Sequence, residues 1–199
     1  MKTMRISTRL AMASLLVAAG VWLTLETTAQ SQSPGRFEPT IDVFLKIQGV
    51  EGGATDDAHQ GWIDVESFTY GLTRSADGAE PAMHRGLSIV KGIDRATPFL
   101  YLHCSSGQLI EEAVLEITRT APDGVCIQEY RLRNALVTSV SAAAGRDATG
   151  ATERLTLHYE SVEWTYVKVN PLTGSVVSEV AIQWNPTVDG QKSGAVTAP

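Results

Sequence analysis

The residues able to do chemistry are few and scattered. His59, His84, His103 and His158 show no metal-ligand spacing, and His59 and His84 fall in stretches that read as loops. Asp56-Asp57-Ala58-His59 offers two acids and a base in a Gly-rich stretch. Neighbours on a loop rarely converge on one proton, however, and a solvated polar loop explains the same residues. A hydrolase built on His59 with Asp56 or Asp57 is therefore the minor reading. Ser105-Ser106-Gly107 is not a strand-to-helix nucleophile elbow, and Cys104 has only the adjacent His103 as a base. Gly49-Val50-Glu51-Gly52-Gly53 lacks the Lys and the following helix that a phosphate-binding loop needs. The expectation is a non-catalytic protein that uses no metal and no cofactor, with binding or assembly as its work.

The elements around these residues read as strands with one exception. In Ile93–Gly107, Pro98 suits the first turn, Phe99, Leu100, Leu102 and His103 recur at helical spacing, and Gly107 supplies a left-handed stop. Thr97 is the expected cap, and Phe99, Leu100 and Leu102 the expected buried stripe of a helix over 97–106. Ile41, Val43, Leu45 and Ile47 alternate with polar residues as in a half-buried strand. In 62–73 the apolar parity changes from Ile63 and Val65 to Phe68 and Tyr70, which predicts a bulge near Ser67; a second slip is expected near Ser161. Residues 74–85 read as a long loop and 87–93 as a strand. Segments 110–120 and 125–140 form a hairpin around Pro122-Asp123-Gly124, with Tyr130, Leu132 and Leu136 facing one way, and 176–184 is a last strand. Long bent strands with a single helix make the fold class mainly β: an antiparallel β-barrel, closed or nearly so, with one short α-helix packed on its side.

The first 29 residues stand apart. Lys2, Arg5 and Arg9 precede an uncharged apolar run, Leu10–Leu25, and Thr27-Thr28-Ala29 reads as a cleavage site, together a secretory signal peptide. An uncleaved membrane anchor is the alternative. No Cys follows the run, which argues against a lipoprotein. Residues 30–40 read as a disordered linker, 41–185 as one domain and 186–199 as a polar tail. Removing Lys2, Arg5, Arg9 and Glu26 turns the net charge of −6 into 13 cationic against 21 acidic residues, or −8. That balance speaks against nucleic acid or an anionic membrane as partner. Cys104 and Cys126 would meet an oxidising compartment; a disulfide between them and two separate small buried side chains are both open.

Several segments in order resemble the haemolysin-coregulated protein (Hcp) family, the tube subunits of type VI secretion. They are Asp42-Val43-Phe44-Leu45-Lys46-Ile47, Gly49 through His59 to Trp62-Ile63-Asp64-Val65, and Tyr70-Gly71. Next come Ile93-Asp94-Arg95-Ala96-Thr97-Pro98, Cys104-Ser105-Ser106-Gly107 and Glu112-Ala113-Val114-Leu115. Leu136–Ser141, Glu153-Arg154-Leu155-Thr156-Leu157 and Gln183-Trp184-Asn185 complete the series. The resemblance implies a protomer that closes into a hexameric ring, rings that stack into a tube, and small effector proteins carried in the lumen, alongside other secretion-system components. It makes Ser67 and Thr69 candidates for the lumen side, where cargo would touch, with plain solvent exposure as the alternative. It likewise makes the loop of Ala76, Asp77, Gly78, Ala79 and Glu80 a candidate for reaching the next ring. Subunits of this family usually lack a cleaved leader, so the chain is either secreted or periplasmic by its signal peptide, as an Hcp-like barrel outside any tube, or its true start lies downstream. N-terminal sequencing of protein from periplasm or medium is expected to begin at Gln30; a chain recovered there with residues 1–29 intact counts against the signal peptide.

Overall fold

The computed structural model of the chain describes residues 39–121, 124–145 and 150–185. The leader, the tail and most of the linker read from the sequence lie outside the described residues. Nine strands and one helix follow among the described residues: β1 (Thr40–Ile47), β2 (Ile63–Asp64), β3 (Ser67–Thr73), β4 (Met83–Gly92), α1 (Thr97–Ser106), β5 (Ile110–Ala121), β6 (Gly124–Ala143), β7 (Thr152–His158), β8 (Ser161–Val169) and β9 (Val176–Trp184). Every pairing is antiparallel, along the path β2-β1-β5-β6-β7-β4-β3, with β8 added to β6 and β9 to β8. His84, expected in a loop, is the second residue of β4.

The path is bent at two corners, both where parity slips. β6 pairs with β8 from Val125 to Arg133 and with β7 from Leu136 onward. Between them Asn134 adopts a left-handed φ of 48°, which Asn tolerates better than most residues, and its side-chain amide donates to Glu160 Oε2 at 2.6 Å. The slip corrects one expectation: the inward row continues from Leu132 to Ala135 and Val137, not to Leu136. At the other corner the Val65 amide donates to Val43 of β1 and the Glu66 amide to Val90 of β4. An amide there serves one sheet or the other. The ladder therefore does not close into a hydrogen-bonded cylinder; its two ends, β2 and β3, are consecutive pieces of one bent stretch.

Leu45, Ile63, Leu87, Leu115, Leu132 and Leu155 are fully buried between the walls of this fold. The helix adds a narrower stripe than its sequence suggests. Ala96, Leu100 and Cys104, four residues apart, pack on the core, whereas Phe99 and Leu102 are 50% and 59% exposed. Thr97 is not the cap. Ala96 holds that position, its amide donates to Asp94 Oδ1 at 2.9 Å, and Gly107 ends the helix at φ 67° as expected.

Thr97 instead joins a buried ionic cluster. Lys91 Nζ lies 2.6 Å from Glu153 Oε1, both side chains fully buried, and 2.7 Å from Asp94 Oδ1; it also donates to the Gly92 carbonyl. The Thr97 hydroxyl donates to Glu153 Oε1 at 2.9 Å, and Asp94 Oδ2 accepts the Gly53 amide at 3.1 Å. Residues 92–97 and Glu153 of β7 meet on one ammonium, and Asp94 carries the cluster on to Gly53.

A second polar chain crosses the far corner. Tyr70 Oη lies 2.7 Å from Tyr159 Oη and accepts from the Trp164 indole at 3.2 Å, while His84 Nδ1 lies 2.7 Å from Tyr159 Oη. Burial raises the Tyr70 and Tyr159 phenols above their ordinary values and lowers the His84 imidazole below 6.5.

Two expectations follow from these clusters. Lys91→Met leaves Glu153 buried without its cation and should lower stability by roughly 3–5 kcal/mol in urea denaturation, with Lys91→Met/Glu153→Leu recovering much of the loss. A loss below about 1 kcal/mol in the single variant would show that the pair is not held as described. Because the folded-state value of His84 is depressed, its contribution is present above pH 6.5 and is lost as the pH falls from there through the lowered value. His84→Gln should flatten the acid-side slope of Tm against pH, and an unchanged slope below 6.5 would exclude His84 as its source.

Candidate functional site

Ser67 and Thr69 stand on the outward face of the wall formed by β3, β4, β7 and the C-terminal half of β6. Register brings together what the sequence keeps apart. Thr69 lies opposite Ser88, Ser88 opposite Thr156, and Thr156 opposite Ser139, a row of hydroxyls across four strands. Ser88 Oγ and Thr156 Oγ1 are 3.1 Å apart, and the extra residue of the bulge, Thr138, donates to the Thr156 carbonyl at 3.3 Å. The neighbouring row runs Ser67, Val90, Arg154 and Ser141. Leu87, Ile89, Leu155 and Leu157 alternate with these residues and point to the core, which is why the outward positions are free to be small and polar.

A cleft of about 540 Å³ opens on this wall, lined by Thr69, Gly71, Leu72, Arg85, Gly86 and Ser88. Gly86 cannot be exchanged for a larger residue there: its φ is 76°, and a Cβ would stand 2.8 Å from the Leu157 carbonyl. The loop between β3 and β4 projects at the end of the same hairpin. Ala76, Asp77, Gly78, Ala79 and Glu80 are all exposed, and Asp77 Oδ1 accepts the Ala79 amide at 3.0 Å.

The Asp56–His59 pair is organised quite differently from an open polar loop. His59 is only 7% exposed, stacked on Phe44 with ring centroids 4.0 Å apart and edge-on to Trp62. Its Nδ1 lies 2.7 Å from Asp56 Oδ1 and its Nε2 3.0 Å from Glu116 Oε1 on β5. The bond from His59 holds the Asp56 carboxyl below the usual range. With a carboxylate on each ring nitrogen, neither is free to take a proton from a substrate; the side chain fastens the 50–62 loop to β1 and β5. Glu116, far away in sequence, is the partner that sequence reasoning missed.

Beside this clamp lies a cleft of about 860 Å³ lined by Lys46, Val50, Glu51, Trp62, Arg95 and Glu112 among others. Its charges are of both signs, with Arg95 and Glu51 paired at 2.7 Å and Lys46 poised 5.5 Å above the Trp62 ring. Among the described residues, no group of three His, Cys, Asp or Glu side chains gathers where it would hold a metal ion. Cys104 and Cys126 are both free thiols and half-buried; Cys126 Sγ lies 3.3 Å from Tyr166 Oη. The outward face of β5, β6 and β8 is ionic instead. Arg131 bonds Glu112 at 3.1 Å and Glu129 at 2.6 Å, and Arg133 bonds Glu112 at 2.6 Å.

Comparison with known proteins agrees with this architecture. Residues 44–166 match the family model described as "Type VI secretion system effector, Hcp". The chain is similar to the Hcp1 protein of Pseudomonas aeruginosa, 32% identical over 136 residues that span 63% of this chain and 83% of that one. Among solved structures it is similar to a type six secretion system protein, with TM-score 0.63 and 25% identity over 73% of this chain and 96% of the other. Hcp1 of Salmonella typhimurium shares the fold, with TM-score 0.61 and 24% identity over 75% of this chain and 96% of its own. A family match across more than half of the chain, joined to a relative of that identity over most of its own length, makes this chain a member of the Hcp family of type VI secretion.

Proposed function

We infer that the chain is a ring-forming structural subunit of a type VI secretion tube, a hexamer that carries effector proteins in its lumen and catalyses nothing itself. The observation that carries the reading is β9. It pairs only with β8 among the described strands, which leaves a nine-residue edge, and Val176, Val177, Val180 and Ile182 along it are exposed. Leu172, in the turn before it, is 93% exposed. A long apolar edge is a template for association unless another chain covers it. A second apolar patch stands on the helix, where Phe99, Leu102 and the nearby Leu109 are exposed. Two different patches on one protomer suit a head-to-tail contact, and such contacts give a ring where the rotation between protomers closes.

Within that reading Ser67 and Thr69 belong to the cargo side, and the loop from Ala76 to Glu80 reaches the neighbouring ring of a stack. The leader favours a second reading: Lys2, Arg5 and Arg9 ahead of an apolar run point to export, which suits a periplasmic or secreted Hcp-like binding protein outside any tube. Light scattering on the purified mature chain distinguishes the two. A hexamer that Val180→Asp/Ile182→Asp returns to monomer is expected, and a wild-type monomer at high concentration would remove the tube reading.

A further inference from the structure

The protein is acidic, yet one wall of it is not. Outward positions of β3, β4, β7 and the C-terminal half of β6 hold the hydroxyl row, Ser67, Val90 and Ser141 beside it, Gly71 and Gly86, the exposed Leu72 and Met83, and three titratable residues, Arg85, Arg154 and His158. No Asp or Glu occupies an outward position of these strands among the described residues; the acidic side chains of the strands themselves are turned inward, as Glu153 is, or belong to the ionic face of β5, β6 and β8. Glu66 stands at the corner beyond the Ser67-Val90-Arg154-Ser141 row.

The two arginines flank the hydroxyl row. Arg154 is in the adjacent row beside Ser67 and Ser141, while Arg85 lines the 540 Å³ cleft with Thr69 and Ser88 on the other side. Both are exposed. Between them the side chains are short, so a partner's backbone can come close to the sheet, and each Ser or Thr offers a hydroxyl proton to an acceptor. A guanidinium presents a fork of N–H groups that matches a carboxylate. Acceptors and negative charge are thus what this wall is equipped to meet.

We propose that the wall of β3, β4, β7 and β6 is a docking surface for acidic polypeptide, with Arg85 and Arg154 anchoring carboxylates and the Thr69-Ser88-Thr156-Ser139 row supplying hydroxyl donors between them. The proposal rests on the reading of Ser67 and Thr69 as the cargo side and names the chemistry of the cargo. Two charges spread over a hydroxyl surface hold a partner weakly and in a salt-dependent way, which suits a carrier that must release its load.

Fluorescence anisotropy of labelled poly-L-glutamate and poly-L-lysine with the purified chain, at low and physiological salt, tests it. Poly-glutamate is expected to bind in preference, with Arg85→Glu/Arg154→Glu weakening it by roughly tenfold or more and added salt doing the same. Lys46→Glu/Arg95→Glu, the same change of charge at the other cleft, should leave binding near the wild-type level. Preference for poly-lysine, no binding of either polymer, or equal loss in both double variants overturns the proposal. Light scattering on the same samples separates the two readings: rings that do not prefer poly-glutamate overturn the acidic-cargo inference alone, and a monomer that prefers it overturns the tube reading alone. Circular dichroism checks that the variants are folded.

Discussion

The buried contact between Lys91 and Glu153 is the interaction on which the arrangement of the remaining parts depends. Two ions removed from water lose several kcal/mol of hydration each, and only close partners offset that. Here the partners come from β4, β7, the turn before the helix and the first helical residue, with Asp94 extending the cluster to Gly53. An ammonium that needs those acceptors at once penalises any arrangement in which the helix or the 50–62 loop sits elsewhere. Among the described residues Glu153 Oε2 has no hydrogen-bond partner.

The second constraint is the length of β6. One strand of twenty residues serves as the shared border of two walls, and it does so by changing parity at Asn134 without breaking. The matching bend on the facing chain, between β7 and β8, brings Tyr159 into the hydrogen-bonded chain with Tyr70, His84 and Trp164, so the corner is filled by aromatic rings whose polar tips are satisfied by one another. Bends of this kind let an antiparallel sheet wrap a core without a closed ladder.

The two outward faces that result differ in kind. On β5, β6 and β8 a dense ion network surrounds Arg131; burial works against its charge, and Glu112 and Glu129 nevertheless hold its pKa above the ordinary value. Across the corner the face is short, hydroxylated and sparsely charged. Apolar exposure gathers at the β9 edge, the turn at Leu172 and one side of the helix, with Ile41, Leu72 and Met83 exposed as well.

Local chemistry was enough to determine the strands, the single helix with its Pro and Gly boundaries, the parity slips that became corners, and through ordered motifs the family. It even held unread signals: Lys91 and Glu153 each sit at the inward parity of their strand, beside Leu87 and Ile89 in one case and Leu155 and Leu157 in the other. Only the tertiary structure decided that Thr97 bonds Glu153 instead of capping, that Phe99 and Leu102 face outward because the helix meets the core along the row Ala96, Leu100 and Cys104, and that His59 is clamped by a carboxylate 57 residues away. The hydroxyl wall is of the same kind. Thr69, Ser88, Ser139 and Thr156 are unremarkable one at a time, and they become a surface only when strand register, set by the buried residues between them, lines them up.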